Sequence, residues 1–94
     1  MICKIEDIIK KVLMEDNKNI FSTSNKSFSF KDNIFYSYNE PIAELEADIY
    51  YKRLKLFPKC GQYGVFISRT TSRHIMTLKK FCENNNIDYI IIDI

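Results

Sequence analysis

Glycine and proline are scarce, two of each in 94 residues. So few chain-breaking residues point to regular elements joined by polar turns, and no Gly-rich phosphate loop or dinucleotide fingerprint is present. Histidine occurs once, at His74. A His-rich metal site therefore has no material. A dyad of His74 with Cys60 or Ser72 lacks a third orienting group at any indicated spacing. The three cysteines, Cys3, Cys60 and Cys82, are odd in number and contain no C-x-x-C pair, so neither a disulfide framework nor a zinc site is expected, and the thiols fit a reducing compartment. The longest apolar run, Ile90-Ile91-Ile92, falls far short of the roughly 20 residues that span a bilayer. No N-terminal stretch shows the zones of a signal peptide. A cytoplasmic location is expected, with no cofactor and no membrane partner.

What is present defines a small globular chain. With 46% hydrophobic and 28% charged residues, it can fill one core, near the size at which one core leaves little margin. A single domain over residues 1–94 is expected. The formal net charge is only +2, yet from Ile49 to Cys82 there are eight basic residues and no acid. Such asymmetry bears on partners rather than on fold.

Residues 2–15 carry the clearest helical pattern. Ile5, Ile8, Ile9, Val12 and Leu13 recur as one stripe, and Glu6–Lys10 and Asp7–Lys11 pair at i, i+4 on the other side. Ser22 to Asn25 reads as a polar turn. Ser27-Phe28-Ser29-Phe30 alternates as a half-buried strand, Lys31-Asp32-Asn33 as a turn, and residues 34–38 as the returning strand. Residues 41–57 admit two readings. As a helix, the segment has Asn39 as cap and Pro41 in the first turn. As a strand, Ala43, Leu45, Ala47, Ile49 and Tyr51 alternate with Glu44, Glu46, Asp48, Tyr50 and Lys52. The strand pattern is the longer, with a turn near Ala47–Asp48 able to split it into a hairpin. Glu44, Glu46 and Asp48 then share a face that could hold Mg²⁺, but a solvated sheet face is the commoner outcome and no metal site is expected.

Tyr63 to Phe81 is the organising stretch. Val65-Phe66-Ile67 reads as a strand, Ser68 to Ser72 as a hydroxyl-rich corner, and a helix follows from near Arg73, its apolar stripe formed by Ile75, Leu78 and Cys82 with Phe81 beside them. The corner supplies caps for a helix start and gathers Arg69, Thr70, Thr71, Ser72, Arg73 and His74 around an N-terminus suited to an anion. Asn84-Asn85-Asn86 ends the helix. Ile87 to Ile94 is a last strand, apolar enough to lie well inside the sheet. The order predicts an α+β domain: an N-terminal helix, an antiparallel or mixed sheet of about four to five strands, and a second helix before a C-terminal strand.

The segments Phe35-Tyr-Ser-Tyr-Asn-Glu-Pro-Ile-Ala43 and Ser68-Arg-Thr-Thr-Ser-Arg-His74 resemble those of small uncharacterised proteins of phages and other mobile elements, which pair a Tyr-rich strand leading into Pro-Ile-Ala with a Thr-Thr-Ser-x-His corner. The resemblance covers roughly the last two thirds of the chain. It implies a mobile-element origin and action by binding host machinery, including defence complexes, as an anti-defence or anti-CRISPR-type inhibitor does.

Together these features predict a non-enzymatic binding protein. Its working face combines the corner, Ser68 to His74, with Lys52, Arg53 and Lys55 of the basic strand. Its partner is an acidic protein surface or a host nucleoprotein complex. The alternative is a nucleic-acid-binding module in which the same basic, aromatic-interleaved residues follow a phosphate backbone.

Overall fold

The computed structural model describes residues 3–57 and 69–92. The elements run α1 (Ile5–Leu13), β1 (Phe21–Ser22), β2 (Phe28–Lys31), β3 (Ile34–Ser37), β4 (Glu40–Ala47), β5 (Lys52–Leu56), α2 (Arg69–Asn84) and β6 (Asp88–Ile91). The strands form one sheet in sequence order. β1 to β5 are an antiparallel meander, and β6 pairs parallel to β5. The chain is a small α+β domain, as its patterning predicts. Its strand count exceeds the expectation only through the two-residue β1, which lies partly where a polar turn is expected at Ser22.

One core serves both helices. Ile8, Ile9, Val12 and Leu13 of α1 meet Phe21, Phe28, Phe30 and Phe35 of the first strands, and Ile75, Leu78 and Cys82 of α2 join the same cluster through Ile42, Leu45, Leu54 and Leu56. Phe30 and Phe35 stack with ring centroids 4.8 Å apart, within the range of favourable aromatic pairs. Cross-strand register carries the buried row through Phe21, Phe30, Phe35, Ala43 and Leu56. The opposite face is mixed, its register running Lys31, Ile34, Glu44, Lys55 and Ile90.

The turns follow their residues. Asp32 and Asn33 both have positive φ, 53° and 69°, as a tight two-residue hairpin of type I′ requires. Asn86, at φ 55°, closes α2 through Ile87 N–H to the Cys82 carbonyl, a left-handed helix end that Asn tolerates. Between β3 and β4 the register shifts at Phe35/Tyr36, so that Phe35 faces Ala43 and Tyr36 faces Pro41. Ile42 is thereby an extra residue, and both Ile42 and Ala43 are buried. This bulge also accommodates Pro41, whose missing N–H would break a regular central ladder.

The strand reading of residues 41–57 holds, split into a hairpin of β4 and β5 just after Ala47. Two expectations need correction. Residues 48–51 form the turn, so Ile49 and Tyr51 leave the sheet face that alternation assigns them. α2 begins at Arg69 rather than near Arg73, which places Thr70, Thr71 and Ser72 inside its first turn instead of ahead of it. Among the described residues β6 pairs with β5, in parallel. Its apolar character serves Tyr89, which packs on the core, while Ile91 is half exposed. The strand expected at Val65–Ile67, the residue Ser68 and the thiol of Cys60 lie outside the described residues.

Candidate functional site

Helix α2 sorts its first three turns into two faces. Thr71, His74, Ile75, Leu78 and Cys82 point inward at i, i+3, i+4, i+7 and i+11. Arg69, Ser72, Arg73, Met76 and Lys80 point outward. The inner face opens with a polar cluster. Ser37 Oγ, fully buried on β3, lies 2.7 Å from His74 Nδ1 and 2.9 Å from Thr71 Oγ1. The His74 ring stands edge-on to Phe28 at 5.1 Å. Buried hydroxyls and imidazole satisfy one another here, as polar groups removed from water must. Burial pushes the His74 pKa below its ordinary 6.5, because an imidazolium would lose its hydration there.

This cluster pins the start of α2 to the end of β3. His74 is buried, with Nδ1 directed at Ser37 rather than at the helix mouth. Its helical spacing explains the early start of α2: Thr71 and His74 reach one oxygen only if the turn between them is already formed. The signal was in the sequence, since the stripe extended backwards from Leu78 falls on His74, Ile75 and Thr71. Ser37 shares the inward side of its strand with Phe35. Next to it, Tyr38 has a positive φ of 57°, a conformation unfavourable for a bulky side chain.

The nine proposed site residues separate into groups. Arg69, Ser72 and Arg73 are exposed and Thr70 half-buried, whereas Thr71 and His74 are internal. Among the described residues, Arg69, Arg73, Lys79 and Lys80 form no salt bridge. The cations of β5 all do. Lys52 Nζ lies 2.6 Å from Asp16 and also donates to the Leu13 carbonyl at the end of α1. Arg53 binds Glu46 at 2.7 Å, and Lys55 reaches Glu44 at 3.6 Å and Glu46 at 3.5 Å. These pairs lower the pKa of Asp16 and of Glu46, chiefly through the hydrogen bonds from Lys52 and Arg53. Glu44 and Glu46 thus serve the sheet's outer face, and Asp48 accepts N–H groups of its own turn. Among the described residues, no three His, Cys, Asp or Glu side chains are grouped to hold a metal ion.

Of the described thiols, Cys3 is half-buried and Cys82 buried, and neither is in a disulfide. Burial, helped by Glu83, pushes the Cys82 pKa up to about 11, so it stays a protonated core group. No helix among the described residues is long and apolar enough to cross a membrane.

A family model described as "Family of unknown function (DUF8033)" matches residues 8–93, a span running from α1 through the polar cluster and α2 into the last strand. The chain belongs to that family. No curated protein and no solved structure matches it.

Proposed function

We propose that the protein is a non-enzymatic binding module that engages an acidic protein surface through the outer face of α2. The observation that carries this reading is the contrast in charge matching. Arg69, Arg73 and Lys80 lie on one exposed stripe around Met76, half exposed at its centre, and no described carboxylate neutralises them. Exposed guanidinium groups with an apolar contact between them suit a protein partner whose carboxylates face the arginines. Lys52, Arg53 and Lys55 leave the working face, because each already meets an acid of this chain. That removes three of the eight cations in the basic run on which the nucleic-acid alternative depends. The mobile-element setting, the cytoplasm of a host cell and a host defence complex as partner are supported by the two quoted motifs.

The test is titration of the protein with poly-L-glutamate and, separately, with duplex DNA, at two salt concentrations. Arg69→Ala/Arg73→Ala should weaken poly-L-glutamate binding roughly five- to tenfold, and Arg53→Ala/Lys55→Ala less than about twofold. Equal losses from both pairs would overturn the assignment. Tighter binding to DNA, with a steep salt slope, would favour the alternative.

A further inference from the structure

The exposed stripe of α2 has a regular spacing. Arg69, Arg73, Met76 and Lys80 follow one another at intervals of four, three and four residues, and Glu83, also exposed, adds a further interval of three. With about 100° of turn per residue, the first four lie within roughly 60° of one another, on the side of the helix opposite the buried row. They extend over about 16 Å of axis. Among the described residues, Arg69, Arg73 and Lys80 have neither an ion pair nor a side-chain hydrogen bond. The turn beneath the two arginines is held from inside by the contacts of Ser37 with Thr71 and His74, so the stripe is presented on a fixed support.

We infer that the acidic partner meets this stripe with a helix of its own, laid along α2 and carrying carboxylates on one face at matching intervals. This rests on the reading of α2 as the docking face and adds the form of the partner to it. Pitch selects a helix. The arginines stand about 6 Å apart along the axis, and Lys80 about 10 Å beyond Arg73. A parallel partner helix, having the same rise, meets the three cations with its residues i, i+4 and i+11 and offers i+7 to Met76. An antiparallel one uses i, i+7 and i+11, with i+4 at Met76. In either direction all four contacts stay on one face. An extended strand advances about 3.3 Å per residue. It meets the arginines with residues i and i+2, but its third carboxylate then falls near i+5, on the opposite face.

Shape and charge agree with pitch. The outer side of a helix is convex, and the ridges of a second helix enter its grooves at a shallow crossing angle that keeps contact along several turns. A second copy of this chain does not suit the stripe, because cations hold three of its five positions where a self-pairing seam with these intervals is apolar. Glu83 gives the stripe a direction, since a carboxylate facing it is repelled, and so a partner sequence and its reverse are not equivalent. One helix over this length buries less than the roughly 1,200 Å² of a standard interface, which places the contact among the transient ones.

Titration of the full chain with synthetic helical peptides of about four turns tests the inference. One peptide carries Glu at i, i+4 and i+11 with Leu at i+7. A second has the reversed order, and a third has the same composition with its Glu residues spread around the helix. Poly-L-glutamate offers carboxylates at every spacing, so it reports on the acidic partner alone. At low salt one patterned peptide should bind about fivefold or more tightly than the third. Met76→Ser should weaken that peptide about threefold. Arg73→Glu should abolish the preference, and Lys in the peptide at the position facing residue 73 should restore it. Equal binding of all three peptides, with poly-L-glutamate still bound, overturns the helical partner and leaves the acidic one standing. Failure of poly-L-glutamate and of all three peptides to bind removes both.

Discussion

Strand β5 and helix α2 both carry a cluster of cations, and the fold treats the two clusters oppositely. On β5, Lys52, Arg53 and Lys55 each meet a carboxylate from β4 or from the residues after α1. On α2, Arg69, Arg73, Lys79 and Lys80 meet none among the described residues. Along the chain the two clusters look alike, one acid-free run from Ile49 to Cys82. In space they differ because an antiparallel partner sets acid against base across a strand pair, while the outer side of α2 has no described neighbour that supplies one. Charge density along a sequence thus describes a surface only after each charge's neighbours are known.

The largest expected effect sharpens the comparison from beneath α2. Ser37→Ala removes the oxygen shared by Thr71 and His74 and leaves buried polar atoms short of a partner. It should destabilise the protein by about 1–3 kcal/mol, read as a lower urea midpoint. Below that midpoint, poly-L-glutamate binding through α2 should also weaken, with the β5 ion pairs untouched. A variant as stable as the parent would mean that the cluster contributes nothing to seating α2.

A second variant breaks the comparison on purpose. Glu44→Gln/Glu46→Gln deletes the acids facing Arg53 and Lys55. If matching is what silences β5, the double variant should gain roughly threefold or more in poly-L-glutamate affinity at low salt. No gain would show that β5 is silent for another reason, such as its position on the sheet.

The pH dependence follows from the lowered pKa of His74. The folded state prefers the neutral ring, so this contribution to stability is fully present above the ordinary value of 6.5 and is lost as pH falls through the folded value. Melting temperature should drop between about pH 7 and pH 5, and His74→Asn should flatten that segment of the profile. Asp16 and Glu46, whose pKa values are lowered by their cationic partners, lose their contribution only at still lower pH. A wild-type profile flat over the same window contradicts the buried neutral ring.

The smallest effect concerns Tyr38, whose positive φ of 57° an asparagine would adopt more easily. Tyr38→Asn should stabilise the fold by about 0.5 kcal/mol. Destabilisation would show that the ring makes contacts that outweigh its backbone strain.

Much of this architecture was legible in the residues. The stripe of Ile8, Ile9, Val12 and Leu13, the alternation around Phe28 and Phe30, and the Asp-Asn turn each express a local rule that tertiary packing did not override. The α2 stripe was legible as well, but its hydroxyl-rich start fits a cap and a buried contact alike, because Thr and Ser satisfy helix N–H groups and buried polar partners equally well. Only the position of Ser37 across the core decides between the two roles. The Ile42 bulge has no local signature beyond Pro41 beside it. Nor does alternation alone show where a strand bends, so it places Ile49 and Tyr51 on the sheet instead of in the turn. The pairing of β5 with Glu44, Glu46 and Asp16 depends on register and on the end of α1, neither of which a charge count contains.

The contrast between the two cationic regions is tested most directly by following backbone amide NMR signals during titration with poly-L-glutamate at low salt. The account predicts saturable shifts at Arg69, Ser72, Arg73, Met76 and Lys80, with the amides of Lys52 to Leu56 unmoved. Shifts concentrated along Lys52, Arg53 and Lys55, with α2 silent, would contradict it.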